Sequence, residues 1–191
     1  DLTRGRVLFE LGRYDEAIDA FSQGRSRTRL YGYREPARVM ERWIARSLVY
    51  DGRIRRGLEI LESDRGSAEA CFFLAEAELR HGDHGRALEA VERGLRIDTQ
   101  RREPVERVGW TTGFTSLEDR AIGVTRGTPV LTHQMLALRG YLLAESGQVS
   151  DGVNEMHRLT RELRTSELDP YNRVYFYLYS LILPESGDLN L

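Results

Sequence analysis

The chain has 191 residues, 40% hydrophobic and 30% charged, with a formal net charge of −2. That is the balance of a globular chain, not of a basic nucleic-acid binder, and no nucleic-acid motif is present. All 28 basic residues are arginine, so no lysine exists to form a Schiff base or to grip phosphates in a Walker-type loop.

The first element in chain order is LFELGRYDEAIDAF, residues 8–21. It runs from an apolar stretch through Gly12 into Ala17 and Ile18 at helical spacing, which predicts two helices joined by a tight turn. SRTRLYGYREP, residues 26–36, reads as a long connection. LVYDGRIRRGLEIL (48–61), ELRHGDHGRALEAV (78–91) and LAESGQVSDGVNEM (143–156) then rewrite the opening pattern. Between the last two, residues 99–128 carry Gly109, Gly113, Gly123 and Gly127 among several threonines, a poor composition for regular helix. This segment is either a degenerate repeat or an irregular insertion. Its Trp110 and Phe114 either pack onto the array or touch a ligand. Thr128-Pro129 starts the next regular helix, and Asp169-Pro170 starts a last one, YNRVYFYLYSLIL, before a further turn at Gly187. No apolar run approaches the roughly 18 residues of a membrane-spanning helix.

The four copies align on Gly12, Gly52, Gly82 and Gly147. Seven residues before each stands a small residue, Gly5, Ala45, Ala75 or Gly140, and five after stands another, Ala17, Gly57, Ala87 or Gly152. Aliphatic Ile18, Leu58, Leu88 and Val153 follow directly. Small residues facing each other let two helix backbones approach closely, and the apolar column beside them supplies a shared core. These copies resemble the tetratricopeptide repeat family, most clearly over AEACFFLAEAELRHGDHGRALEAVERGLRID, residues 68–98. The resemblance implies an all-α, right-handed superhelix of antiparallel helical hairpins with one irregular central segment. It predicts three repeats over 1–98, the degenerate or inserted segment over 99–128, and one full plus one partial repeat over 129–191. The first copy lacks its opening residues, which predicts a piece of a longer array.

What the resemblance implies about function is non-catalytic: a scaffold or adaptor that holds a protein or peptide in a concave groove lined by the first helix of each hairpin. The aligned groove positions include Arg6, Arg42, Arg46, Phe72, Glu76, Tyr141 and Tyr177, a mixture of arginine and aromatics typical of binding hot spots. Arg38, Arg42 and Arg46 form one helical stripe. From Arg25 to Arg56 ten arginines meet only Glu35, Glu41 and Asp51, whereas residues 57–100 hold ten acids against five arginines. This predicts either a groove for an acidic partner or internal pairing between a basic repeat and its acidic neighbour. The family's carboxylate-clamp positions fall on Leu2, Arg6, Trp43, Glu69 and Phe73, of which only Arg6 is cationic, so a chaperone-tail clamp is not expected. A different class of function is an accessory protein whose insertion and aromatic last helix enclose a small hydrophobic ligand. That last helix could instead pack on a further repeat or mediate self-association through the C-terminal end.

No cofactor or metal is expected. Cys71 is the one cysteine, which excludes an internal disulfide and reads as a small buried apolar residue. His81-Gly82-Asp83-His84 sits on a turn without a third histidine or cysteine nearby in sequence to complete a zinc site. No catalytic elbow, zinc-protease or dinucleotide motif occurs.

Overall fold

The computed structural model describes residues 1–102 and 129–164, and every regular element among them is a helix. In chain order these are α1 (Leu2–Glu10), α2 (Tyr14–Leu30), α3 (Arg34–Tyr50), α4 (Ile54–Glu62), α5 (Ala68–His81), α6 (His84–Arg102), α7 (Pro129–Glu145) and α8 (Val149–Arg164). Each packs against the next, and α3 also touches α1 and α5. The result is an array of adjacent hairpins with the first helices side by side in one layer, the all-α arrangement the sequence pattern predicts.

The reversals are chemically alike. Gly12, Gly32, Gly52, Gly82 and Gly147 all take φ between 73° and 90°, and no other described residue has positive φ. At Gly52 the glycine N–H donates to the Val49 carbonyl at 3.1 Å and the Arg53 N–H to the Leu48 carbonyl at 2.8 Å, a pattern repeated at the other four. This closure satisfies the last carbonyls of the helix, and it needs a residue that enters the left-handed region without a Cβ penalty.

Gly32 corrects the expectation of a long connection over residues 26–36. Helix α2 runs unbroken to Leu30 and α3 begins at Arg34. Pro36 does not obstruct this, because it lies in the first turn of α3, where backbone N–H groups have no intrahelical acceptor. The α4–α5 connection, which has no positive-φ glycine, and the Gly82 turn both end in side-chain caps. The Ser67 hydroxyl accepts from the Ala70 N–H at 3.4 Å before α5, and an Asp83 carboxylate oxygen accepts from the Arg86 N–H at 2.9 Å before α6.

In the α3–α4 and α7–α8 hairpins the small residues meet as their spacing predicts, whereas Gly5 of the first hairpin faces the ring of Phe21. A Cβ built on Gly57 would lie 2.8 Å from the Ala45 carbonyl oxygen, and one on Gly152 would lie 3.0 Å from the Ala144 Cβ and nearer still to the Gly140 carbonyl. Ala75 and Ala87 are fully buried. Around these contacts Leu8, Phe21, Leu48, Leu61, Val91 and Leu142 belong to one continuous core, with a second cluster of Ala137, Ala144, Val153, Met156 and Leu159 between α7 and α8. The predicted central insertion beyond residue 102 and the last partial repeat beyond residue 164 lie outside the described residues.

Candidate functional site: the face of the first helices

Three first helices converge on one cation. The guanidinium carbon of Arg46 on α3 lies 4.6 Å from the ring centroid of Phe73, 5.0 Å from Phe9, 5.1 Å from Trp43, 5.6 Å from Tyr50 and 6.0 Å from Phe72. Its NH2 donates to Glu76 on α5 at 2.8 Å, and the Tyr50 hydroxyl reaches the same carboxylate oxygen at 3.4 Å. The rings brace one another edge to face: Phe9 against Trp43 at 5.6 Å and against Tyr50 at 4.9 Å, and Trp43 against Phe73 at 5.3 Å. Such pairings suit the aromatic quadrupole, and the ring faces attract the cation. Two further arginines lie on the same rings, Arg6 over Trp43 at 5.2 Å and Arg80 over Tyr50 at 3.8 Å.

The electrostatics of this wall are settled inside the chain. Burial, the largest single influence, would lower the pKa of Arg46, but Glu76 and Tyr50 together outweigh it and the guanidinium is held above its ordinary value. Burial also pushes the Tyr50 hydroxyl up, reinforced by Glu76. Arg46 Nε and Trp43 Nε1 are buried without a hydrogen-bond acceptor, so the cation rests on ring faces where a second acceptor is lacking.

Arg42 sits one turn earlier and is committed more fully. Its Nε donates to Glu69 at 2.8 Å, one terminal nitrogen to Asp64 at 2.7 Å and the other to Glu35 at 3.3 Å. Only 3% of its side chain is exposed. Of the two readings of the arginine stripe, internal pairing with the acidic neighbour is what Arg42 and Arg46 display, through Asp64, Glu69 and Glu76.

The fold therefore brings Arg6, Arg46, Phe72 and Glu76 together, with Arg42 adjoining through Glu69. Tyr141 lies further along the array on α7, half-buried between the two core clusters. Trp110, Phe114 and Tyr177, on which the insertion contact and the small-ligand pocket depend, lie outside the described residues. Trp43, Phe73, Tyr50 and Arg80 complete the wall. A column reading was available for them, since Trp43 and Phe73 stand nine residues before their turn glycines and Tyr50 and Arg80 two before.

A polar, open concavity of about 420 Å³ lies where α6, α7 and α8 meet, beside an ion-pair chain in which Glu155 accepts from Arg139 at 3.4 Å and from Arg158 at 3.1 Å. Among the described residues no group of three or more His, Cys, Asp and Glu is placed to hold a metal ion. No helix among them is long and apolar enough to cross a membrane.

Residues 44–101, from the middle of α3 into the last turn of α6, match the family model of the tetratricopeptide repeat. Residues 44–101 therefore form a tetratricopeptide repeat unit. Two crystal structures of nearly identical TPR-like repeats, from a Podosopora anserina protein described as a kinesin light chain, share the fold. One aligns with a TM-score of 0.59 at 14% identity over 98% of this chain and 89% of the other. The second aligns with a TM-score of 0.58 at 14% identity over 99% and 90%. No curated protein matches the sequence significantly. Tetratricopeptide repeat domains are in general protein–protein interaction modules and typically non-catalytic.

Proposed function

We propose that the chain is a scaffold or adaptor that holds a segment of a partner protein along the face formed by α1, α3 and α5 and continued toward Tyr141. The observation that carries this reading is the wall around Arg46, where arginine, tyrosine and phenylalanine from three successive first helices form one surface. Residues of these types dominate binding energy where they cluster. The cage also holds the wall rigid before a partner arrives, which lowers the ordering cost of binding.

The accessible contacts are Arg6, Arg46, Tyr50, Glu76, Leu79 and Arg80, which are half-buried or exposed. Phe72 and Trp43 are the floor beneath them, 8% and 5% exposed. Arg42 supports the wall through its three carboxylates. Acidic side chains of a partner would approach Arg6 and Arg80, whose charges lie over rings.

Photocrosslinking tests this. A photoreactive residue at Leu79, in lysate of the source cells, is expected to capture a discrete polypeptide, while one at exposed Glu89 on α6 captures none. Tyr50→Ala combined with Arg80→Glu should remove the product. Equal capture from both positions, or capture insensitive to the double variant, would refute the assignment.

A further inference from the structure

The tip of the α2–α3 hairpin carries three of the five exposed large apolar side chains among the described residues: Leu30 at 81%, Tyr31 at 72% and Tyr33 at 61%. They flank the Gly32 turn in unbroken sequence, with the two tyrosine rings 6.5 Å apart. The tip also stands proud of its neighbour. Measured from the matching small residues Ala17 and Gly57, α2 continues eight residues further than α4, or about 12 Å.

A collar of arginine surrounds these side chains. Arg27 and Arg29 occupy the last turn of α2, where cations complement the helix dipole; Arg27 pairs with Asp1 at 2.8 Å and Arg29 pairs with Glu41. Arg34 and Arg38 are different. Both are exposed in the first two turns of α3, the end that favours anions. Neither has an ion pair or hydrogen bond among the described residues. Neither the dipole nor a partner among the described residues accounts for them. Packing does not account for Leu30 and Tyr31 either.

We propose that this tip docks on an anionic lipid surface. A convex apolar point offers no recess for a partner's side chain, but it suits a deformable layer. Leucine and tyrosine enter the headgroup region, tyrosine being favoured at that depth. The arginines within a turn or two of the tip then meet the negative headgroups. The contact is peripheral and salt-sensitive, and it leaves the face of the first helices open.

Sedimentation with vesicles tests the proposal. Partition onto phosphatidylcholine vesicles containing about one-third phosphatidylserine should exceed that onto phosphatidylcholine alone by roughly tenfold, and about 0.5 M NaCl should remove most of the difference. Leu30→Ser/Tyr31→Ser and Arg34→Glu/Arg38→Glu should each reduce the partition by about fivefold or more, with helicity unchanged. Val7→Ser/Leu11→Ser, on exposed residues at the C-terminal end of α1 away from the tip, should retain it. Equal partition onto both vesicles, or binding unaffected by both tip variants, overturns the assignment. So does a tip that alters the protein's mass in solution but not its lipid binding, since that makes it a contact between protein molecules.

Discussion

Arg38 and Arg42 stand one turn apart on α3, and the chain treats them in opposite ways. Arg42 is enclosed by Glu35, Asp64 and Glu69, whereas Arg38 is exposed without a partner among the described residues. The same division separates the aromatics. Phe9, Trp43, Phe72 and Phe73 are buried on the face of the first helices, while Tyr31 and Tyr33 are bare at the tip. Both regions are built from arginine and aromatic residues, so composition does not distinguish them. The supply of carboxylates does. The acids of the α4–α5 connection and of α5 reach Arg42 and Arg46, and α4 ends too early to bring an acid beside Arg34 and Arg38.

Substituting the two arginines would break that comparison most directly. Arg42→Ala leaves Asp64 and Glu69 facing each other in a partly buried site without their cation, a loss of about 3 kcal/mol or more. Arg38→Ala removes a solvated charge and should shift stability by no more than about 0.5 kcal/mol. Urea unfolding of the two variants reads both values, and losses of similar size would mean that the internal ion pairs do not organise the wall.

The glycines sharpen it at smaller amplitude. Gly57→Ala puts a methyl 2.8 Å from the Ala45 carbonyl oxygen and closer to the Val49 side chain, an overpacking cost of about 1–3 kcal/mol. Gly32→Ala meets no atom within 4 Å and is opposed only by its left-handed backbone, about 1–2 kcal/mol. Thermal melts should rank Gly57→Ala as the more damaging. The reverse order would mean that the hairpin opens readily and the turn is what holds it.

How far these arrangements are legible in the sequence follows from the range of each interaction. The within-hairpin turns at Gly12, Gly52, Gly82 and Gly147 depend on residues within about ten positions, and aligned copies reveal them. Gly32 has no aligned counterpart, since α4 and α5 are joined through Ser67 instead, so the α2–α3 turn resembles a loop until its hydrogen bonds are seen. The partners of Arg42 lie 7, 22 and 27 residues away. Charge balance between the second and third repeats raises their pairing as one alternative, but only the packing of α3 on α5 selects Glu69 and Asp64. Placing Arg46 among aromatics is a matter of columns. The number of rings that converge on it depends on how closely α1, α3 and α5 approach.

Glu78 gives the smallest effect and the one most sensitive to pH. It is 1% exposed near the C-terminus of α5, and Arg86 approaches one carboxylate oxygen at 3.0 Å. Neither oxygen has a hydrogen-bond donor in good geometry. Burial pushes the carboxyl pKa up, and Arg86 offsets this only in part. A carboxyl whose folded pKa lies above its unfolded value binds its proton more tightly when folded. It therefore costs stability above the folded pKa, and the cost fades as pH falls through that value toward the ordinary carboxylate range. Glu78→Gln removes the charge along with its titration. The variant should match or exceed the parent at pH 7 by up to about 1 kcal/mol, and the gap should close toward pH 4. A variant less stable at pH 7 whose deficit shrinks on acidification would instead show that Arg86 and Glu78 form a net stabilising pair. Because the wall around Arg46 lies on a different face of α5, partner capture at Leu79 should be the same in parent and variant at neutral pH. That separates the stability of the hairpin from the surface it presents.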